Sequence, residues 1–181
     1  MFSYAKSIIT STANGEETPP DWPDFTDWQE DIVQPFGQMV GLLAFNFGPA
    51  AVLHWWQPGS ETVAHAVTLA AIAFGAFLAP MGMLGLAMFD SIAALNPYLL
   101  LKSIFRIPLS YLAAAAGFEL LTAVYFKAGG IIGLLIPIQM LSGTISVFLN
   151  LFLTLAGMRI LGLLYRAKAD DLGWFGRDDS A

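Results

Sequence analysis

The sequence predicts an all-α integral membrane bundle of about four transmembrane helices plus one interfacial or re-entrant helix. Three observations carry this. Hydrophobic residues make up 56% of the 181 residues and charged residues only 12%, with a mean hydropathy of +0.64. A helix needs about 20 apolar residues to cross the hydrocarbon layer, and several such runs are present. The charges gather where the apolar sequence breaks, above all between Met81 and Ile107 (MGMLGLAMFDSIAALNPYLLLKSIFRI).

The length suits one domain, organised in three stretches: an interfacial helix and acidic Trp/Pro-rich arm over 1–35, a transmembrane bundle over 36–165 and a polar tail over 166–181. The net charge is −6. Much of the acid (Glu16, Glu17, Asp21, Asp24, Asp27, Glu30 and Asp31) lies ahead of the first span, an acidic tether that disfavours nucleic acid as a partner. No cysteine is present, which excludes disulfides, cysteine metal sites and thiol catalysis. The opening MFSYAKSIITSTANG is too short in apolar core, and too interrupted by Ser and Thr, to read as a signal peptide.

Residues 1–13 are expected to form a short helix, on the membrane surface or against the bundle. Pro19, Pro20 and Pro23 then exclude an ordinary helix, and Trp22, Phe25 and Trp28 alternate with acids as in an arm held at the headgroups. Thr26, ahead of Glu30 and the apolar run from Ile32, is a candidate helix start, with acids favourable near its N-terminus. A first span is expected over 36–55 and a second over about 62–88. Gly75, Ala79, Gly82 and Gly85 allow close helix approach in the second, and Pro80 is expected to kink it and free a carbonyl for a neighbour.

Residues 91–105, punctuated by Ser91, Asn96, Pro97, Lys102 and Ser103, read as a re-entrant or interfacial helix–turn. A third span is expected over 108–126, a turn at Lys127–Gly130, and a fourth span from about Ile138 to Leu161 after a lead-in broken at Pro137. Trp22, Trp28, Trp55, Trp56 and Trp174 are expected as interfacial anchors. With four spans, Lys6, Lys102, Arg106, Arg166, Lys168 and Arg177 share one side against Lys127 alone on the other. The positive-inside rule then places both termini in the cytoplasm.

Asp90, Glu119 and Arg159 fall in or near hydrocarbon, where a charge costs about 2.5–3.5 kcal/mol and usually pairs inside the bundle. Asp90 and Arg159 are expected at similar depth as a salt bridge, with Lys102 or Arg106 competing for the carboxylate. Together with Asn96 and Pro97 these residues make a polar knot fixing the helix break. Glu119 is expected deeper, either protonated or bonded to Gln139, Asn150 or a threonine. As a function it would relay protons or ions; as structure it would be polar glue, the favoured alternative given so little polar lining. His54 and His65 flank the outer turn and are candidate ligands for a haem iron or a pigment magnesium, although two plain interfacial histidines suit their shallow depth better. No cofactor is required by the sequence. HExxH, GxSxG and Walker patterns are absent, so no metal site is expected, and Asp90 alone is no aspartyl dyad.

Four stretches (15–36, GEETPPDWPDFTDWQEDIVQPF; 88–112, MFDSIAALNPYLLLKSIFRIPLSYL; 158–166, MRILGLLYR; 172–175, LGWF) together resemble a group of uncharacterised bacterial polytopic membrane proteins. That group is loosely akin to Yip1-like and other membrane families of unknown function. The resemblance implies a compact helical bundle with one or two further spans ahead of the acidic segment, so that MFSYAKSIIT resembles the end of such a span in a short or truncated member. It implies a bacterial inner membrane and assigns no activity. Two expectations follow: a non-catalytic accessory or scaffold subunit of a larger membrane complex, which could carry a pigment or cofactor, or a small oligomeric transporter or channel using Glu119.

Overall fold

The computed structural model describes residues 2–16, 18, 20–21, 28–56, 59–136 and 138–175. Among them there is no strand. The elements are α1 (Phe2–Ala13), a π turn (Gln29–Val33), α2 (Gln34–Trp56), α3 (Glu61–Phe89), a 3-10 turn (Ile92–Ala94), α4 (Pro97–Arg106), α5 (Pro108–Leu135) and α6 (Gln139–Leu172). Four helices (α2, α3, α5 and α6) are long and apolar enough to cross a membrane. The chain is an all-α multi-pass bundle, which brings lipid contact with it. Expectations resting on the arm, including Trp22, Phe25 and the helix start at Thr26, lie outside the described residues, as do Pro137 and Arg177.

The four long helices form two antiparallel hairpins, α2–α3 and α5–α6. They meet at one end, here called the near end, where α1, α4 and the 3-10 turn also lie. The third span is longer than expected: α5 continues through Lys127–Gly130 to Leu135, and the predicted turn there is helical. In hydrocarbon the backbone has no water to bond, so the helix persists through glycines that would end it in solution. It stops at Ile136, whose extended backbone (φ −123°, ψ 97°) is the conformation a following proline imposes. Likewise α6 runs past Leu161, through Arg166, to Leu172. Its backbone leaves helical geometry at Lys168 (φ −131°, ψ 16°), and Gly173, at φ +59°, caps the end by donating to the Ala169 carbonyl.

The core sits at the near end. Ile9, Met81, Leu84, Leu100, Tyr111, Leu161 and Leu172 are fully buried there, with Tyr4, Ala5 and Ile8 of α1 around them. Of the two placements expected for α1, the one observed is against the bundle, wedged between α6 and α3. Its approach depends on Gly162, where a Cβ would fall 2.6 Å from the Thr12 Cβ and 2.7 Å from the Ile9 carbonyl oxygen. Pro80 has no N–H for the Ala76 carbonyl, and at the next carbonyl along, that of Phe77, the Tyr111 hydroxyl reaches across to donate. The Phe77 and Tyr111 rings meet edge to face at 5.3 Å. Beyond this contact α3 and α5 part, and α2 makes no substantial contact with α5 or α6 among the described residues.

Candidate functional site

The polar residues of the near end build two separate ties. The first joins α1, α2 and α3. α3 ends at Asp90, whose left-handed backbone (φ 49°) is a conformation that aspartate tolerates, and whose N–H donates to Leu86. Lys6 of α1 forms an ion pair with the Asp90 carboxylate and donates to Gln38 Oε1 at 2.7 Å. Gln38, almost fully buried in α2, donates to the Asp90 carbonyl at 3.0 Å and to its Oδ1 at 3.1 Å, and Gln34 adds a bond to the same carbonyl at 3.3 Å. Partial burial pushes the Asp90 carboxyl up, but Lys6, Gln38 and Gln34 together outweigh it and hold the group below its usual value. The partner of Asp90 is thus Lys6, a correction to the pairing expected with Arg159, Lys102 or Arg106. The polar side of α1 opens onto a groove lined by Ser3, Ser7, Asn14, Gln34 and this pair.

The second tie joins α4 to the end of α6. Asn96 is the N-cap of α4, its Oδ1 accepting from the Tyr98 N–H at 2.9 Å, and Pro97 fills the first helical position, where a missing N–H costs nothing. Arg106 donates to the Leu172 carbonyl, favourable for a cation at a helix C-terminus. Trp174 Nε1 donates to Ser103 Oγ at 2.7 Å while its ring lies 5.2 Å from Phe89 and 5.8 Å from Tyr165. Trp174 therefore faces protein, where the sequence placed it among headgroups. Lys102 is exposed over the Tyr98 ring at 5.6 Å, and Arg159 faces the α1 side of α6 beside Tyr4 and Thr12. The knot expected of Asp90, Asn96, Pro97, Lys102, Arg106 and Arg159 is thus divided between two ties. From the sequence Lys6 counts only toward orientation and Ser103 only as a break within 91–105, and neither Gln38 nor Tyr111 is assigned a role. Gln38 alone left a signal, a polar residue inside an apolar span.

Glu119 lies near the middle of α5, half-buried, on the stripe of Tyr111 and Ala115. Among the described residues it has no hydrogen-bond partner. Gly157 packs on Phe118 and Gly117 on Ile160, and this register sets Asn150 about two turns beyond Glu119. Asn150 is therefore not the partner expected, nor is Gln139, which begins α6 at the far end. Among the described residues the Asn150 Oδ1 is buried without a partner, as is the whole amide of Asn46, whose backbone lies against Gly75 of α3.

His54 and His65 are exposed and share a small cleft with Gly59, Glu61 and Thr68 at the far end of α2–α3. Among the described residues no three His, Cys, Asp or Glu side chains gather as a metal site. Trp28 borders the near end of α2, and Trp55 and Trp56 its far end, all uncovered by protein. No family model, curated protein or solved structure matches this chain.

Proposed function

We propose that this protein is a non-catalytic accessory or scaffold subunit of a larger membrane complex, in the bacterial inner membrane with both termini cytoplasmic. The single observation behind it is the contrast in packing: the near end shares one core among all its helices, while the far halves keep only their hairpin partner and present bare apolar faces. Val52, Phe74, Leu134 and Phe148 are each more than half exposed there. The near end also carries Lys6, Lys102, Arg106, Arg166 and Lys168, which supports placing it in the cytoplasm. Purification from native membranes in mild detergent, read by mass spectrometry, tests the reading. A larger partner in fixed stoichiometry is expected, and its absence would sink the proposal. An absorption spectrum of the same sample reports whether a haem or pigment comes with it, and loss of those bands in His54→Ala or His65→Ala would tie it to that histidine.

A transporter or channel is the second reading, favoured by Glu119 alone, a carboxyl at mid-span. Glu119→Gln separates the two. It abolishes flux in the transporter and leaves the accessory subunit assembled.

A further inference from the structure

The ten residues of α4 join the near ends of α3 and α5 and have two unlike faces. Leu100, Ser103 and Ile104 are buried in the bundle. On the opposite side stand Tyr98, Lys102 and Phe105, and the row continues past the bend at Ile107 onto α5 with Leu109. Tyr98, Phe105 and Leu109 are exposed by 72%, 76% and 82%, and Lys102 holds its ammonium over the Tyr98 ring. The depth of α4 is set by Leu100, whose methyls lie 3.9 and 3.7 Å from where Cβ atoms on Gly82 and Gly85 would stand. Those glycines lie one to two turns before the end of α3. With 29 residues, α3 offers about 43 Å of helix against about 30 Å of hydrocarbon, so its last turn or so stands among headgroups. Leu100 therefore holds α4 at the boundary between hydrocarbon and headgroups.

We infer that the outer face of α4 binds anionic phospholipid, with Tyr98, Phe105 and Leu109 in the outermost hydrocarbon and the Lys102 ammonium on the lipid phosphate. Three observations choose this occupant. The row is continuous with α5, a candidate membrane span whose uncovered side meets lipid, so α4 faces the same phase. From Ser91 to Phe118 the chain carries Lys102 and Arg106 and no acid, although its net charge is −6. Arg106 is turned to the Leu172 carbonyl, which leaves Lys102 as the cation of the outer face. Lys102 also stands between the two rings along the helix, so a protein seated on them would bury the ammonium and would have to bring an acid of its own. A second copy applying the same face brings none. Aromatic side chains flanking a lysine suit a helix that lies in the interface, and an anionic surface favours each such cation about fivefold. The inference stands apart from the accessory-subunit reading, because pure protein and lipid suffice for it.

The chain has no cysteine, so a single introduced thiol can carry a fluorophore. The full chain labelled at Phe105→Cys, and separately at Leu109→Cys, is reconstituted dilute in equal mixtures of phosphatidylcholine and phosphatidylglycerol. One lipid or the other carries bromines, at shallow or deep acyl positions. Shallow bromines are expected to quench in preference to deep ones, and the relative binding constant to favour phosphatidylglycerol about fivefold. Lys102→Gln in the labelled chain is expected to bring that preference within about twofold, and Lys102→Arg to keep it. Quenching from the bilayer centre would make α4 re-entrant, and a label reached by neither lipid would mean that protein covers the face. A preference that is absent, or that survives Lys102→Gln, would remove phosphate recognition; each of these results overturns the inference. Helical circular dichroism is recorded for every variant. Where both labels disturb folding, the unlabelled chain decides: its thermal midpoint should rise with phosphatidylglycerol and lose that rise in Lys102→Gln, and equal midpoints in the two lipids would overturn the inference as well.

Discussion

The two ends of this bundle are made of similar residues and packed in opposite ways. At the near end a short helix, α1, drives between α3 and α6, and every element is tied by a charged or polar side chain. Toward the far end the same helices keep only their hairpin partner, and leucine, phenylalanine and valine face outward. In water that difference would condemn the far end. In a bilayer it does not, because lipid is as apolar as leucine and an uncovered face costs little. The near end must be specified by contacts, whereas the far end is free to be specified by something else.

Glycines sharpen this comparison most. Gly162 at the near end and Gly75 at mid-span let backbones touch: a Cβ on Gly75 would fall 2.0 Å from the Asn46 carbonyl oxygen, which cannot move without its helix. Gly75→Ala and Gly162→Ala are expected to cost about 3 kcal/mol or more, and Gly162→Ala should also release α1 to protease. At the far end Gly133 and Gly143 have nothing within 4 Å of the same added atom. Gly133→Ala and Gly143→Ala are expected to leave stability unchanged or raise it by about 0.5–1 kcal/mol through helix propensity. Thermal aggregation midpoints in detergent check all four, and equal effects at Gly162 and at the far-end glycines would erase the distinction.

A smaller effect belongs to Tyr111→Phe. Removing the hydroxyl takes one cross-helix hydrogen bond from the Phe77 carbonyl beside Pro80 and should cost about 1–1.5 kcal/mol, read in the same assay. The smallest belongs to the ion pair. Asp90 is largely exposed, so Lys6→Met is expected to cost under about 1 kcal/mol. Its sign with pH is fixed by the lowered carboxyl: the stabilisation is present above the ordinary aspartate value and fades as pH falls through the lower folded one. Wild type should therefore lose stability in acid more steeply than Lys6→Met, and identical acid profiles would remove the pair from the account.

Much of this was legible in the sequence. Spans two and one were placed within about two residues of α3 and α2, because composition and length report burial in lipid directly. The end of α5 was misplaced because Gly129–Gly130 was given the meaning it has in water. Asp90 was correctly placed at the end of a span but matched to the wrong cation. Depth can be counted along a sequence, whereas the position of α1 cannot, since twelve residues with one lysine fit equally well on a surface or in a core. Trp174 misled for a related reason: an indole suits the headgroups and a hydroxyl such as Ser103 equally, and only the kink at Lys168 decides between them.

Photo-cross-linking in native membranes tests the contrast between the two ends most directly. A photoreactive residue is placed at Val52, Phe74 and Leu134 on the bare far faces, and at Leu84 and Leu161 in the near-end core. Adducts to one protein of defined mass, larger than a second copy, are expected at far-face positions and none in the core. Adducts to lipid alone at every far-face position would contradict the account, leaving those faces as nothing more than the lipid boundary of a self-contained protein.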